Sequence, residues 1–183
     1  MTKSRSAYSA PIKQGKLDTH IIVVWVDNES GVLARVIGLF SGRGYNIDSL
    51  TVAEVDKKKN ISRITITTSG TPQVLQQIRL QLRKLVPVHK VADFPSNKKT
   101  LIREMALLKI VSSKTNLQKA KKLCKKYRSI VIDNTEKSIV LEVSAIKKDI
   151  DQLVKKLQVL GLVSVSRTGV VAMTKGSEIY KQI

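Results

Sequence analysis

The sequence predicts an α+β protein made of two successive β-α-β-β-α-β units. Three observations carry this prediction. Short β-branched runs alternate with segments of helical periodicity, the same order occurs twice, and a polar, proline-led stretch separates the two runs. At 183 residues the chain has room for two small domains. Right-handed crossovers would place both helices of a unit on one face of a four-stranded antiparallel sheet, the ferredoxin-like arrangement. The other face then needs a cover, and small domains of this kind often pair with a copy of themselves.

Residues 1–18 read as a flexible basic tail, with Lys3, Arg5, Lys13 and Lys16 and no acid before Asp18. The first unit spans 19–94. His20–Val26 is too short for a helix and rich in β-branched residues, so it reads as a strand. Val32–Phe40 repeats its apolar side chains at helical spacing. Asn46–Val55 is the second strand and Asp56–Asn60 a lysine-rich turn. Ile61–Ser69 alternates, which places Ile64 and Ile66 inward and Arg63, Thr65 and Thr67 outward. Thr71 is placed to cap a helix that Pro72 opens, with Leu75, Ile78, Leu82 and Leu85 as its stripe. Val86–Phe94 closes the unit.

A linker at 95–100 leads to a second unit at 101–175, followed by a tail at 176–183. Its elements are a strand at Leu101–Ser112, a helix at Thr115–Tyr127, strands at Ser129–Asn134 and Ser138–Ala145, a helix at Lys147–Leu160 and a strand at Leu162–Met173. Thr135-Glu136-Lys137 makes the tight turn, and Gly161 ends the last helix as a C-cap.

Composition excludes several kinds of chemistry. One cysteine, Cys124, rules out an internal disulfide framework and a cysteine-based zinc site. It falls on an apolar helical stripe with Leu117, Ala120 and Tyr127, as a small buried hydrophobe would. His20 and His89 are the only histidines, which leaves little material for a metal site or a histidine-based triad. No apolar run reaches the length of a membrane span. The absence of a secretory signal favours the cytoplasm, or a plastid for a chain of algal or plant origin.

Charge is the strongest bias. Lys and Arg total 33 against 14 acids, a net +19. Such a field attracts nucleic acid, nucleotides or acidic protein surfaces, although a solvated lysine-rich surface is the simpler reading. An RNA-binding module of the same β-α-β-β-α-β order is the alternative function. It would need base-stacking aromatics on its central strands, and Ser62–Thr68 carries none while aromatics make up 4% of the chain.

The residues that bear most on function lie at a strand-to-helix junction, Asn28-Glu29-Ser30-Gly31. A strand that turns through glycine into a helix leaves unpaired N–H groups aimed outward, which suits a carboxylate or phosphate. Gly44-Tyr45-Asn46-Ile47 follows at the far end of the helix. No nucleophile-and-base set accompanies either stretch, so they read as a place to hold a small anion. Each residue also has a plainer use: Asn28 as a helix cap, Gly31 and Gly44 as turn formers, Asn46 as a strand entry. Asp27 and Glu29 read as solvated acids, and Trp25 as packing.

The run from Asn28 to Val52 resembles the small regulatory subunits of acetolactate synthase, also called acetohydroxyacid synthase. The likeness continues through Ser62–Ile66, Leu75–Ile78, Arg103–Ile110 and Arg167–Met173. The resemblance implies that the first unit is an ACT domain that binds a branched-chain amino acid, usually valine. Two copies would pair side by side with the effector between them, and the signal would pass to a separate catalytic subunit. It implies a site of Asn28, Gly31, Val32, Leu33, Ala34, Asn46 and Ile47. N–H groups of Val32 and Leu33 would take the carboxylate. Asn28, with Asn46 from the partner copy, would take the ammonium, and Val32, Leu33 and Ile47 would hold the isopropyl group. At Ala34 some family members carry a hydroxyl that this chain lacks. The resemblance implies no cofactor in this chain; thiamine diphosphate, flavin and magnesium would belong to the catalytic partner.

Overall fold

The structure is a computed structural model and describes residues 18–94 and 100–177. Most of the expected N-terminal tail, linker and C-terminal tail therefore lies outside the described residues. Two four-stranded antiparallel sheets form, each with two helices on one face. The first unit comprises β1 (Asp18–Asp27), α1 (Val32–Ser41), β2 (Ser49–Asp56), β3 (Ile61–Gly70), α2 (Pro72–Leu82) and β4 (Val88–Phe94), in sheet order β2-β3-β1-β4. The second comprises β5 (Thr100–Val111), α3 (Lys114–Lys125), β6 (Ile130–Asn134), β7 (Ser138–Ala145), α4 (Lys147–Gln158) and β8 (Leu162–Thr174), in order β6-β7-β5-β8. This is the expected fold class.

In the first unit, Ile22, Val24 and Val26 of β1 and Ile64 and Ile66 of β3 pack against Val36 and Phe40 of α1 and Ile78 and Leu82 of α2. Burying each such side chain contributes about 1.5–3 kcal/mol. In the second, Leu108, Ile110 and Leu141 face Ala120 and Cys124 of α3 and Leu153 and Leu157 of α4. Cys124 is completely buried, and burial pushes its thiol pKa up to about 11.

β1 is buried on both faces, from Ile21 through Val26, and this explains its unbroken apolar run. Its second face is covered by the other unit. β5 and β8 run past the body of their own sheet. At Thr168–Gly169 the register of β8 shifts from Glu104↔Val170 to Ala106↔Arg167, and Gly169 takes φ +83°. The Met105 N–H donates to the Thr168 hydroxyl at 3.2 Å across this bulge. Beyond it, Val170, Ala172 and Ile102 pack on Ile21, Val23, Trp25 and Phe94.

Polar groups stitch the same seam. The Thr51 hydroxyl donates to the Thr168 carbonyl at 2.9 Å, and the Arg63 guanidinium donates to the Ala172 carbonyl. That guanidinium lies over the rings of Trp25 and Phe94, 5.5 and 5.9 Å from their centroids, and burial lowers its pKa. Beside the bulge, Arg167 donates to both oxygens of the buried Glu104, at 2.6 and 2.8 Å, and to Asp151 of α4 at 2.6 Å. The hydrogen bond to Glu104 is the main cause of the raised Arg167 pKa.

Several local expectations shift. Thr65 and Thr67 point away from the helices but are 4% and 3% exposed, because the second unit covers that face. β2 starts at Ser49 rather than Asn46. The Asn46 amide donates to Asp48 Oδ1 at 2.6 Å and its carbonyl accepts from the Thr68 hydroxyl at 2.7 Å, which holds 46–48 as a connecting segment. β4 starts at Val88, since Val86 is almost fully exposed before Pro87. α3 starts one residue earlier than expected, because Ser113 caps it by accepting from the Asn116 N–H.

Candidate functional site

β1 leaves the sheet at Asp27, and α1 begins five residues later at Val32. Gly31 occupies the N-cap position with φ +82°, a left-handed conformation that costs other residues about 1–2 kcal/mol. No side chain caps this helix. The Val32 N–H donates to the Glu29 carbonyl at 3.3 Å and the Arg35 N–H to the Gly31 carbonyl at 3.0 Å. The N–H groups of Leu33 and Ala34 have no backbone acceptor among the described residues. Nothing lies within 4 Å of the position a Gly31 Cβ would take. The N-terminus of α1 therefore presents open N–H donors at its positive pole. The corresponding end of α3 is closed by the Ser113 hydroxyl.

Asn28 does not cap α1. Its Oδ1 accepts from the Ser62 hydroxyl of β3 at 2.9 Å, and its N–H donates to the Asn60 carbonyl at 2.7 Å. The turn is thus tied to the β2–β3 hairpin, and the Asn28 amide is held in a fixed direction. Asp27, read as a solvated acid, contacts His89 Nε2 at 2.5 Å, and Glu29 is exposed. Trp25 is a packing residue, 2% exposed at the seam.

The remaining site residues divide. Val32 is 3% exposed and its side chain belongs to the helix–sheet core, so only its backbone faces the turn. Leu33 is 37% exposed, and Ala34 is exposed beside it. Ile47 is half-buried and packs on the edge of the core. Asn46 is exposed at the opposite end of α1. Ten residues of helix, about 15 Å, separate it from the turn, so one chain does not bring Asn46 to Gly31. Along α1 the outward row Leu33, Ala34, Ile37 and Gly38 is exposed and free of charge. Sequence reading missed Ser62 as the partner of Asn28; a lone serine in an alternating strand gives no local signal of such a contact.

The face on which an RNA-binding module of this topology would stack bases is closed. Ile102, Val170 and Ala172 occupy it. No group of three or more His, Cys, Asp or Glu side chains placed to hold a metal ion is found among the described residues.

Two ferredoxin-like units, the first with an open strand-to-helix turn, define a protein of ACT-type architecture. Comparison gives the particular family. Residues 22–90 match the model of the acetolactate synthase small subunit-like ACT domain, and residues 103–176 match that of the small subunit of acetolactate synthase. The chain is 40% identical over 162 residues to the acetolactate synthase isozyme 3 small subunit of Salmonella typhimurium, covering 88% of this chain and 98% of that protein. It is 34% identical over 172 residues to the acetolactate synthase small subunit of Aquifex aeolicus, covering 93% and 88%. The crystal structure of the acetolactate synthase small subunit from Thermotoga maritima superposes with a TM-score of 0.80 at 30% identity, covering 88% of this chain and 99% of that one. The chain belongs to the acetolactate synthase small-subunit family.

Proposed function

We propose that the chain is a non-catalytic regulatory subunit that stimulates an acetolactate synthase catalytic subunit and makes it sensitive to valine. The observation that carries this reading is the uncapped N-terminus of α1 at the Asn28–Gly31 turn, in a chain of this family. The free N–H groups of Leu33 and Ala34 receive the valine carboxylate. Asn28, oriented by Ser62, turns amide oxygen toward the ammonium, and Asn46 of a second copy completes the site. The uncharged outer row of α1 is the side along which that copy lies. Leu33 and Ile47 take the isopropyl group, with Val32 contributing backbone alone.

Each buried methylene is worth about 0.8 kcal/mol, so discrimination among valine, leucine and isoleucine is modest. Thiamine diphosphate, flavin and magnesium belong to the catalytic partner. Valine acts only by favouring one arrangement of the paired ACT domains over another, since a ligand without differential affinity shifts nothing.

Calorimetric titration with valine tests the site. Wild type binds. Gly31→Asp abolishes binding, because its side chain strains the left-handed backbone and sets a like charge beside the carboxylate. Asn28→Ala weakens binding about tenfold through a lost charge-assisted hydrogen bond. Unchanged affinity in both variants removes this turn from the model.

A further inference from the structure

A chain of side-chain hydrogen bonds crosses β1, β3 and the segment leading into β2, and it ends on Asn46. The Asn46 amide nitrogen donates to Asp48 Oδ1 at 2.6 Å, and the Ser69 hydroxyl of β3 donates to Asp48 Oδ2 at 2.8 Å. The Thr19 hydroxyl of β1 lies 3.0 Å from Ser69 Oγ. A carboxylate has no hydrogen to give, so it sets the direction of every link. Ser69 spends its one hydrogen on Asp48 and accepts from Thr19. The backbone is fixed as well. The Asp48 N–H donates to the Thr67 carbonyl at 2.8 Å, and the Asn46 carbonyl accepts from the Thr68 hydroxyl at 2.7 Å. Thr68 is completely buried, so this anchor is shielded from water.

An asparagine amide has a donor end and an acceptor end, and it turns either one outward unless a neighbour chooses. At Asn46 the neighbour is Asp48. With Nδ2 held by the carboxylate, Oδ1 is directed away from Asp48 and accepts no hydrogen bond from a described residue. The side chain is exposed, so that oxygen is free to meet a donor from outside. An ammonium group donates only, and it requires acceptors. A flipped amide would present N–H groups to it and repel it. Asn28 Oδ1 already spends a lone pair on the Ser62 hydroxyl, whereas Asn46 Oδ1 keeps both of its own.

A plainer use for Asp48 is to stiffen the entry into β2. The backbone bonds of residues 46 and 48 already do that without its carboxylate. Asp48 is also exposed, so it fills no core. What its side chain adds is the choice of which end of the Asn46 amide faces outward.

We propose that Asp48 is a positioning residue of the effector site, holding Asn46 Nδ2 so that Asn46 Oδ1 faces the amino group of an effector bound at the turn of the opposite copy. This rests on the valine reading above, in which Asn46 is the second copy's contribution. The two copies then divide the work. The α1 turn of one reads the carboxylate, and the 46–48 segment of the other reads the amino group. Preference for an amino acid over the carboxylic acid of the same carbon skeleton is set by Asp48 acting through Asn46.

Calorimetric titration of the full-length chain with valine, run as a double-mutant cycle between positions 46 and 48, tests it. Asn46→Ala weakens binding about tenfold, and Asp48→Ala about fivefold because the amide is no longer held. In the Asn46→Ala background, Asp48→Ala adds less than about twofold, since no amide remains to orient. Asp48→Asn keeps a carbonyl oxygen for Asn46 Nδ2 and turns its own amide nitrogen to Ser69 Oγ, so it binds within about threefold of wild type. Circular dichroism checks that every variant folds. Equal losses from Asp48→Ala in both backgrounds make its role merely structural and overturn the proposal. So does Asp48→Asn binding as weakly as Asp48→Ala. Wild-type affinity in Asp48→Ala beside a weakened Asn46→Ala overturns the positioning role and leaves the valine site standing. Wild-type affinity in Asn46→Ala removes Asn46 from the site, and the proposal falls with that part of the valine reading.

Discussion

Gly169→Ala probes how the two units are joined. At φ +83° any side chain costs about 1–2 kcal/mol in backbone strain. A Cβ there would sit 2.9 Å from Thr51 Oγ1 and 3.4 Å from Ser49 Cβ. The nearer atom belongs to a hydroxyl that can rotate, but rotation gives up its 2.9 Å bond to the Thr168 carbonyl. A hydrogen bond of that kind contributes about 0.5–1.5 kcal/mol. The expected loss is therefore about 2–3 kcal/mol, concentrated at the seam. Gly176 is the control, since it has φ +72° with nothing within 4 Å, and Gly176→Ala bears backbone strain alone. The assay is urea unfolding followed by tryptophan fluorescence. Trp25 is the only tryptophan of the chain and lies inside the seam cluster, so its emission reports seam opening directly. If Gly169→Ala costs no more than Gly176→Ala, the close approach of β8 to β2 is not what the glycine provides.

Two further outcomes follow from the interior. Arg167→Ala leaves the Glu104 carboxylate, 4% exposed, without its two-pronged partner, and destabilises the protein by about 3–5 kcal/mol in chemical denaturation. Glu104→Gln costs less, because Arg167 keeps Asp151 and partial contact with water. The buried Cys124 thiol stays protonated at neutral pH, so it reacts with a disulfide reagent only at the rate of unfolding. Its folded pKa of about 11 lies above the ordinary thiol value of 9.0, so its neutral form favours folding below pH 9. That contribution, of the order of 2–3 kcal/mol, is lost as pH rises from 9 toward 11. The stability difference between wild type and Cys124→Ala should narrow over that range, and a constant difference would exclude the effect.

The two-unit fold was legible because each helix and strand declares its period locally. Leu75, Ile78 and Leu82 repeat at helical spacing, and Ile64 and Ile66 alternate. What the pattern could not show is a second layer. Alternation separates the two faces of β3 but is silent on whether the outer one meets water, so Thr65 and Thr67 read as outward. Their cover comes from Val170 and Ala172, about a hundred residues further along. Only the unbroken run Ile21–Val26 hinted at it, because a strand buried on one face alone would have alternated. The site was legible in the same partial way. Gly31 announced a turn, whereas the bond that orients Asn28 comes from Ser62, across the sheet. A side-chain contact between strands leaves no periodic trace.

The order in which the chain is made gives the seam a further consequence. The outer face of the first unit is completed by β8, the last strand among the described residues. When β4 has been synthesised, that unit can close its helix-side core but not its other side. Translation at about 5–20 residues per second needs roughly 4–16 s to reach the end of β8. Through that interval Ile21, Val23 and Trp25 stand bare on a half-finished sheet, a surface that chaperones or other nascent chains can engage. Maturation of the first unit is therefore timed by a strand made some eighty residues after its own last one.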